Sequence, residues 1–397
     1  VSTLVVVIIT IALIIINVTP MVMAKRQSKE EISPKKLVVP VISAVAVLTI
    51  AGLVFGLKNE TAALPYAGET LYIYMPGEYM GEEIIPMFEE QTGATVVVEN
   101  FESNEQMYIK VANGESYDIL VPSDYMIQRL KEEDMLQKID LSRITCWDEL
   151  NDSVKNPPFD AENEYSVSYF WGNVGIVYDK TKVDLEDLEK EGYGIFKDKK
   201  YRGDIYLYDS ERDSFMMALK SLGYSMNTEN EKELNDAYEW LVECVQTMEP
   251  EIVTDEIIDN MAQGRKALGL CYSGDAAYIM TENENMGFYL PKEGTNRWYD
   301  SMVIPSNAEN PELAHAFMNF ISAYDYAFDN SSYVGYTSPN LQVMEDLSGE
   351  GGDYEGINAY IPRVDNENDE VFVYNAETRK MIANLWSRVK IAASNAN

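Results

Sequence analysis

Leu71-Tyr72-Ile73-Tyr74, Thr95-Val96-Val97-Val98 and Asp118-Ile119-Leu120-Val121 are three short runs rich in β-branched, aromatic and aliphatic residues. The segments between them, 81–90 and 104–112, read as helices, the first stopped by Gly93. Strand and helix in strict alternation predict a mostly parallel sheet with helices on both faces, because parallel neighbours need a crossover rather than a tight hairpin. Working outward, strands are expected at 166–170, 175–178 and 204–207, followed by a helix at 212–222. Leu234, Ala237, Tyr238, Leu241, Val242 and Val245 recur at helical spacing over 231–247, which gives one apolar stripe beneath a charged face. Further strands at 267–272, 286–290 and 300–304, and helices at 274–281, 311–323 and 376–390, continue the α/β pattern. The acidic, glycine-rich stretch 349–353 reads as a surface loop.

A chain of 397 residues has room for two domains or one large two-lobed one. Its 66 acidic residues against 31 basic ones give a net charge of −35, which opposes nucleic-acid binding and attracts cations. The only histidine, His315, falls in the predicted helix 311–323, where a structural or surface role is expected. With Cys146, Cys244 and Cys271 widely spaced, there is no CxxC, no HExxH and no paired histidine for a zinc site. Walker A and GxSxG sequences are absent as well, so neither cofactor nor metal is expected. A two-carboxylate glycoside hydrolase, with its acids about 5 or 9 Å apart, is one alternative, but in so acidic a chain some pair always meets that spacing.

The first sixty residues have a different character. Residues 1–24 carry no charge, and a second uncharged run covers 37–57; each can cross a hydrocarbon core of about 30 Å as a helix. The loop 25–36 holds Lys25, Arg26, Lys29, Lys35 and Lys36 against Glu30 and Glu31. Positive-inside bias places that loop in the cytoplasm and, after a linker at 58–68, everything that follows outside. Cleavage of the second run as a signal peptide, near Thr61-Ala62-Ala63, is the rival reading.

Several motifs then occur in order: Asn100-Phe101-Glu102-Ser103-Asn104-Glu105-Gln106-Met107-Tyr108, Tyr117-Asp118-Ile119-Leu120-Val121-Pro122-Ser123-Asp124-Tyr125 and Asn156-Pro157-Pro158-Phe159-Asp160. After them come Trp171-Gly172, Ala218-Leu219-Lys220-Ser221-Leu222-Gly223-Tyr224 and Pro291-Lys292-Glu293-Gly294. Trp298-Tyr299-Asp300-Ser301-Met302-Val303-Ile304-Pro305 and Gly335-Tyr336-Thr337-Ser338-Pro339-Asn340 close the series. Over 69–390 the chain thereby resembles the substrate-binding proteins of spermidine/putrescine ABC transporters. The first apolar run and its basic turn resemble the last membrane helix of the partner permease, as in a receptor fused to its permease or a truncated reading frame of one.

The resemblance implies a two-lobed α/β fold of the periplasmic binding protein type (type II), here preceded by two transmembrane helices. Lobe 1 would comprise 69–171 and 299–340, lobe 2 would comprise 172–298 and 341–397, and two crossing strands would join them. It implies a non-enzymatic receptor that delivers putrescine or spermidine to membrane-embedded permease subunits and, through them, to a cytoplasmic ATPase. Another small cationic or amino solute in the same fold is the alternative ligand. Asp300 matches the family's principal ammonium-binding acid and Trp298 its aromatic wall; two residues apart on a strand, they face the same side. Asp213 matches a second acid, Tyr272 replaces a tryptophan, and Ser123, Tyr125, Tyr79 and Tyr336 align with binding positions. Where the family usually reads Asn-Trp-x-Glu-Tyr, this chain has Met75-Pro76-Gly77-Glu78-Tyr79, which keeps Glu78 but loses an aromatic wall. Ser210 stands where spermidine-preferring relatives carry a further acid, which favours putrescine unless Asp209 or Glu211 substitutes.

Overall fold

The computed structural model describes residues 64–396, and from Gly68 onward the chain forms one compact unit. The two apolar runs expected at 1–24 and 37–57, the loop between them and the start of the linker lie outside the described residues. Among the described residues no helix is long and apolar enough to cross a membrane.

The strands are β1 (Thr70–Pro76), β2 (Thr95–Phe101), β3 (Ile119–Leu120), β4 (Ser166–Asp179), β5 (Ile205–Tyr208), β6 (Glu251–Val253), β7 (Leu268–Tyr272), β8 (Met286–Tyr289) and β9 (Arg297–Val303). Their order is β2-β1-β3-β9-β4-β7-β5-β6, with β8 also on β4. β1 is parallel to β2 and β3, with Thr70 opposite Thr95 and Ile73 opposite Ile119. β5 is likewise parallel to β6 and β7. The crossover helices, Ile84–Thr92 and Asn104–Ala112 on one side and Glu211–Ser221 and Glu231–Met248 on the other, fall where the apolar periodicity put them. Fold class is therefore two-lobed α/β, with a parallel centre in each half and antiparallel joins.

β4 is the join. Its first half pairs antiparallel with β9, from Ser166 opposite Val303 to Asn173 opposite Arg297. From Val174, opposite Tyr272, it turns to β7, and from Ile176, opposite Tyr289, to β8. The two separate strands expected at 166–170 and 175–178 are thus one strand of 14 residues, buried throughout. No turn forms at Gly172, because that residue stays in register opposite Trp298.

Two apolar clusters flank the join. Tyr74, Met107, Leu120, Leu130, Trp171, Tyr299 and Val303 belong to one. Val177, Tyr206, Ile257, Cys271, Phe288 and Tyr360 belong to the other. A third crossing accompanies β4 and β9: Glu370 exchanges backbone hydrogen bonds with Thr295 (2.9 Å) and Arg297 (2.8 Å), after which Val371 enters the first cluster. Tyr374 then donates its N–H to Gln128 Oε1 at 2.9 Å before the chain returns in the helix Ala376–Ala396, which packs on Glu231–Met248. Conversely, Ala327, from the range expected in lobe 1, packs with the second cluster.

The periodicity missed several elements. Tyr324–Val334 contains Asn330-Ser331-Ser332, residues of modest helix propensity, and no clean apolar stripe. Tertiary partners hold it instead: Asn330 Oδ1 accepts the Gly81 N–H at 2.9 Å, and Ser331 shares a 2.6 Å hydrogen bond with the Tyr360 hydroxyl. The helices Glu256–Ala262 and Leu341–Ser348 are short, and β6 is an edge strand of three residues. His315 has the structural role expected of it: Nε2 accepts the Asp140 N–H at 2.9 Å while Nδ1 lies 2.6 Å from Pro311 O. All three cysteines are free and buried.

The entry of the chain into β4 depends on Asp160, which is 2% exposed. Its carboxylate accepts from the N–H groups of Glu164 (3.2 Å), Tyr165 (2.9 Å) and Ser166 (2.9 Å) and from the Ser166 hydroxyl (2.8 Å). Asp160→Ala strands these donors away from water and is expected to cost about 3 kcal/mol of unfolding free energy. Urea denaturation checks this, and a loss below about 0.5 kcal/mol would show that the loop does not hold the strand.

Candidate functional site

The first half of β9, the loops that follow β1 and β3, the start of the helix Glu211–Ser221 and the turn after β7 surround a cleft of about 1180 Å³. Nine of the ten residues expected at the site line it: Glu78, Tyr79, Ser123, Tyr125, Asp213, Tyr272, Trp298, Asp300 and Tyr336. Glu78 is an exposed rim residue with a left-handed backbone, φ 53°. Ser210 does not reach the cleft. It caps the helix Glu211–Ser221 by accepting the Asp213 N–H, and its hydroxyl donates to Asp213 Oδ2 at 2.7 Å. A serine of this kind is a good helix N-cap, and here it also aims the carboxylate beyond it.

Period-two alternation on β9 turns Trp298 and Asp300 to the same side, as expected. Three cleft carboxylates are each held by one tyrosine. Tyr79 donates to Asp300 Oδ2 at 2.6 Å, Tyr272 to Asp213 Oδ2 at 2.8 Å, and Tyr336 to Asp275 Oδ1 at 2.7 Å. Such charge-assisted hydrogen bonds each fix one oxygen of the acid. At Asp213, which is 2% exposed, the second oxygen, Oδ1, is buried and has no partner within the protein. Buried acceptors are almost always satisfied, so this atom calls for an incoming donor.

The same tyrosines form a row of aromatic edges and faces with Trp298. Ring centroids lie 5.3 Å apart for Tyr79 and Tyr336, 5.5 Å for Tyr336 and Trp298, and 5.9 Å for Trp298 and Tyr272. Two glycines make room for it. A Cβ on Gly172 would lie 2.7 Å from the Trp298 indole, and one on Gly274 would lie 2.2 Å from the Tyr336 ring. Neither ring could keep its place against a side chain there.

Burial governs the electrostatics. Asp300 is raised above its usual range by burial, against the opposing hydroxyls of Tyr79 and Ser123. Burial likewise pushes Asp275 up to about 7, against the Tyr336 hydroxyl. Asp124, whose carboxylate accepts the N–H groups of Tyr125 (2.6 Å) and Tyr299 (3.1 Å), is pushed by burial up to about 8. Burial also raises Tyr79, Tyr272 and Tyr336 well above the ordinary phenol value, so they remain hydrogen-bond donors. Among the cleft-lining residues Arg212 is the one base, against eight acids. Its guanidinium carbon lies 3.8 Å over the Tyr125 ring, and its Nη1 donates to Glu105 Oε1 at 3.1 Å.

Asp275 and Arg212 also line the cleft and are not among the residues expected there. The available signal for Asp275 was its place in the first turn after β7, three residues beyond Tyr272; for Arg212 it was adjacency to Asp213. No group of metal-ligating side chains occurs among the described residues. The arrangement suits noncovalent capture of a cation with an apolar body.

Residues 83–355 match the family model described as bacterial extracellular solute-binding protein. The chain is 34% identical over 292 residues to the spermidine/putrescine-binding periplasmic protein of Salmonella typhimurium, covering 73% of this chain and 83% of that protein. It is 27% identical over 369 residues to the putrescine-binding periplasmic protein SpuD of Pseudomonas aeruginosa, covering 86% and 96% respectively. Among solved structures it is similar to the spermidine/putrescine ABC transporter substrate-binding protein PotD of Streptococcus pneumoniae. That match has 35% identity and a TM-score of 0.72, and covers 82% of this chain and 100% of the other. Each of these relatives is named as a binding protein. With a two-lobed α/β fold, an acidic aromatic cleft and a family match over most of its length, the chain belongs to the bacterial extracellular solute-binding proteins and is not an enzyme.

Proposed function

We propose that this chain captures a polyamine, putrescine or spermidine, in the cleft and delivers it to an ABC permease driven by a cytoplasmic ATPase. The observation that carries the reading is the set of three tyrosine-held carboxylates, Asp300, Asp213 and Asp275, around one aromatic row, with Asp213 Oδ1 lacking any protein partner. A diamine presents ammonium donors at both ends and methylenes between them. Asp300 would meet one ammonium, Asp213 and Asp275 the other, and Trp298, Tyr79, Tyr272 and Tyr336 would cover the hydrocarbon. Cation–π contacts contribute about 0.5 to 2 kcal/mol each, so a few of them with desolvated charge pairs suffice for micromolar affinity, about −8 kcal/mol. Ser123 would support Asp300, Ser210 would orient Asp213 from behind, and Tyr125 would act through Arg212 rather than on the ligand. The names of the relatives, spermidine/putrescine-binding and putrescine-binding, agree with this chemistry.

In this reading the lobes, 69–171 with 299–340 and 172–298 with 341–397, close like a hinge on the crossing strands, because the ligand touches both only when they are shut. The change of β4's partners between Asn173 and Val174 supports that division. The absence of a carboxylate at Ser210 supports a preference for putrescine. The uncharged runs 1–24 and 37–57 with the basic loop between them support a two-pass membrane tether with the cleft on the extracytoplasmic side; the first run's likeness to a permease helix supports contact with that partner.

Isothermal titration of the unit from Gly68 onward with putrescine and spermidine, with arginine and choline as controls, tests the ligand. Saturable micromolar binding of a polyamine is expected, and heat with choline or arginine alone would replace the ligand by another cation. Asp300→Asn should weaken polyamine binding at least about tenfold, or about 1.4 kcal/mol; an unchanged constant would remove Asp300 from the site.

Asp275 sets a pH dependence. Its folded value of about 7 lies above the ordinary 3.8, so its protonation stabilises the unliganded fold. That contribution is fully present below 3.8 and is lost as pH rises through about 7. An ammonium ligand needs the ionised form, so affinity should rise about tenfold between pH 6 and pH 8 and then level off. Asp275→Asn should shrink both trends, leaving in the melting temperature the share of Asp124 and Asp300; a wild-type profile in the variant would assign the dependence to those groups.

A further inference from the structure

Three charged side chains meet at the side of the cleft, between the two halves of the sheet. Glu105 is in the first turn of the helix Asn104–Ala112, anchored in the first apolar cluster by Met107 and Val111. Arg212 is the second residue of the helix Glu211–Ser221, and Arg379 is in the first turn of Ala376–Ala396; both of these helices pack with Glu231–Met248 on the other half. Arg212 Nη1 lies 3.1 Å from Glu105 Oε1, and Arg379 Nη2 lies 3.6 Å from the same oxygen. Tyr125, from the first cluster, lies beneath the Arg212 guanidinium, and its hydroxyl points to Glu105 at 3.4 Å.

An isolated surface ion pair contributes little, because water screens it and side-chain entropy opposes it. This one differs in three respects. Two guanidiniums converge on one carboxylate, and the Glu105 and Arg212 side chains are only 25% and 24% exposed. Burial pushes Glu105 up, but the charges of Arg212 and Arg379 outweigh it and hold the carboxyl below its usual range. Finally, Arg212 immediately precedes Asp213, so the ion group and a ligand carboxylate sit on one helical turn.

We propose that Glu105, with Arg212 and Arg379 converging on it, forms a set of positioning residues that latch the two halves together, so that part of the ligand's residence time is set by groups the ligand does not touch. The proposal rests on capture of a cation in the cleft, and the sign of the Arg379 effect separates a latch from a simple field. Arg379 faces the small groove formed with Glu211, Glu229, Tyr374 and Asn375 and does not line the cleft. Acting through its field alone, its positive charge repels a cationic ligand, and removing it would tighten binding. As part of a latch, its removal weakens binding.

The test uses Arg379→Gln, Glu105→Gln and the double variant in the full chain, with putrescine as probe and the tryptophan fluorescence of the cleft as signal in stopped flow. Each single change should speed dissociation about three- to tenfold, Glu105→Gln also slowing association because it uncovers the Arg212 charge, and the double variant should dissociate no faster than the more damaging single one. A second measurement needs no ligand. Spin labels at Val97→Cys and Leu222→Cys, exposed positions on opposite halves, report the distance between them by pulsed resonance, while the three native cysteines are buried. Both variants should broaden that distance distribution toward longer values. Unchanged dissociation and distances, or tighter putrescine binding by Arg379→Gln, would overturn the latch. If the wild type binds no putrescine, the cation reading fails, and the distance distributions alone decide the latch.

Discussion

β4 must keep its backbone hydrogen bonds on both sides while changing partners halfway along a strand buried at every residue. An unpaired buried N–H or C=O would be costly, so the switch from β9 to β7 and β8 has to occur without a gap. That condition is met at the switch point itself: Asn173 donates its N–H to Ser273 Oγ at 3.2 Å, Val174 donates its N–H to Asn296 O at 3.0 Å, and Val174 O accepts the Thr295 hydroxyl. The cleft follows from it. Side chains that leave β9 on the cleft side, Trp298 and Asp300, are presented at the place where the two halves of the sheet diverge.

A cleft built to receive charge faces an opposing cost, since the burial that strengthens a carboxylate–ammonium pair also penalises the bare carboxylate. The tyrosine partners lessen the penalty by donating to one oxygen of each acid without neutralising it. The raised values of Asp300 and Asp275 show that burial still dominates. Such a site is under tension until a cation enters, and that tension is the energetic link between occupancy and any closure of the two halves.

Much of this was legible in the residue pattern. Apolar runs of strand length between helical segments gave the alternating order, and Trp298-x-Asp300 declared its shared face through period two alone. What was not legible depended on partners far away in the chain. The segments 166–170 and 175–178 read as two strands, because nothing local reveals that Trp298 fills the space a side chain at Gly172 would need. The helix Tyr324–Val334 is held by Tyr360 and Gly81 rather than by its own composition. Ser210 was read as a position facing ligand, whereas its side chain is spent on the helix cap; a serine one residue before a helix carries that ambiguity in any sequence. Asp275 was passed over because an acid in the first turn of a helix reads as ordinary capping until Tyr336, sixty-one residues on, is seen to hold it.

Arg212 is the residue whose presence most needs explaining, since a lone base among eight acids would repel the ligand those acids attract. Its surroundings resolve the difficulty. The guanidinium plane lies against Tyr125, and its charge is directed at Glu105, which Arg379 also approaches. Coulomb energy falls with distance and with screening by neighbouring opposite charge, so a cation paired at 3.1 Å presents a much smaller field to the cleft than a free one. Glu105 thus does two things with one carboxylate. It removes an unfavourable charge from the neighbourhood of Asp213, and it ties the helix that carries Asp213 to the half of the sheet that carries Asp300.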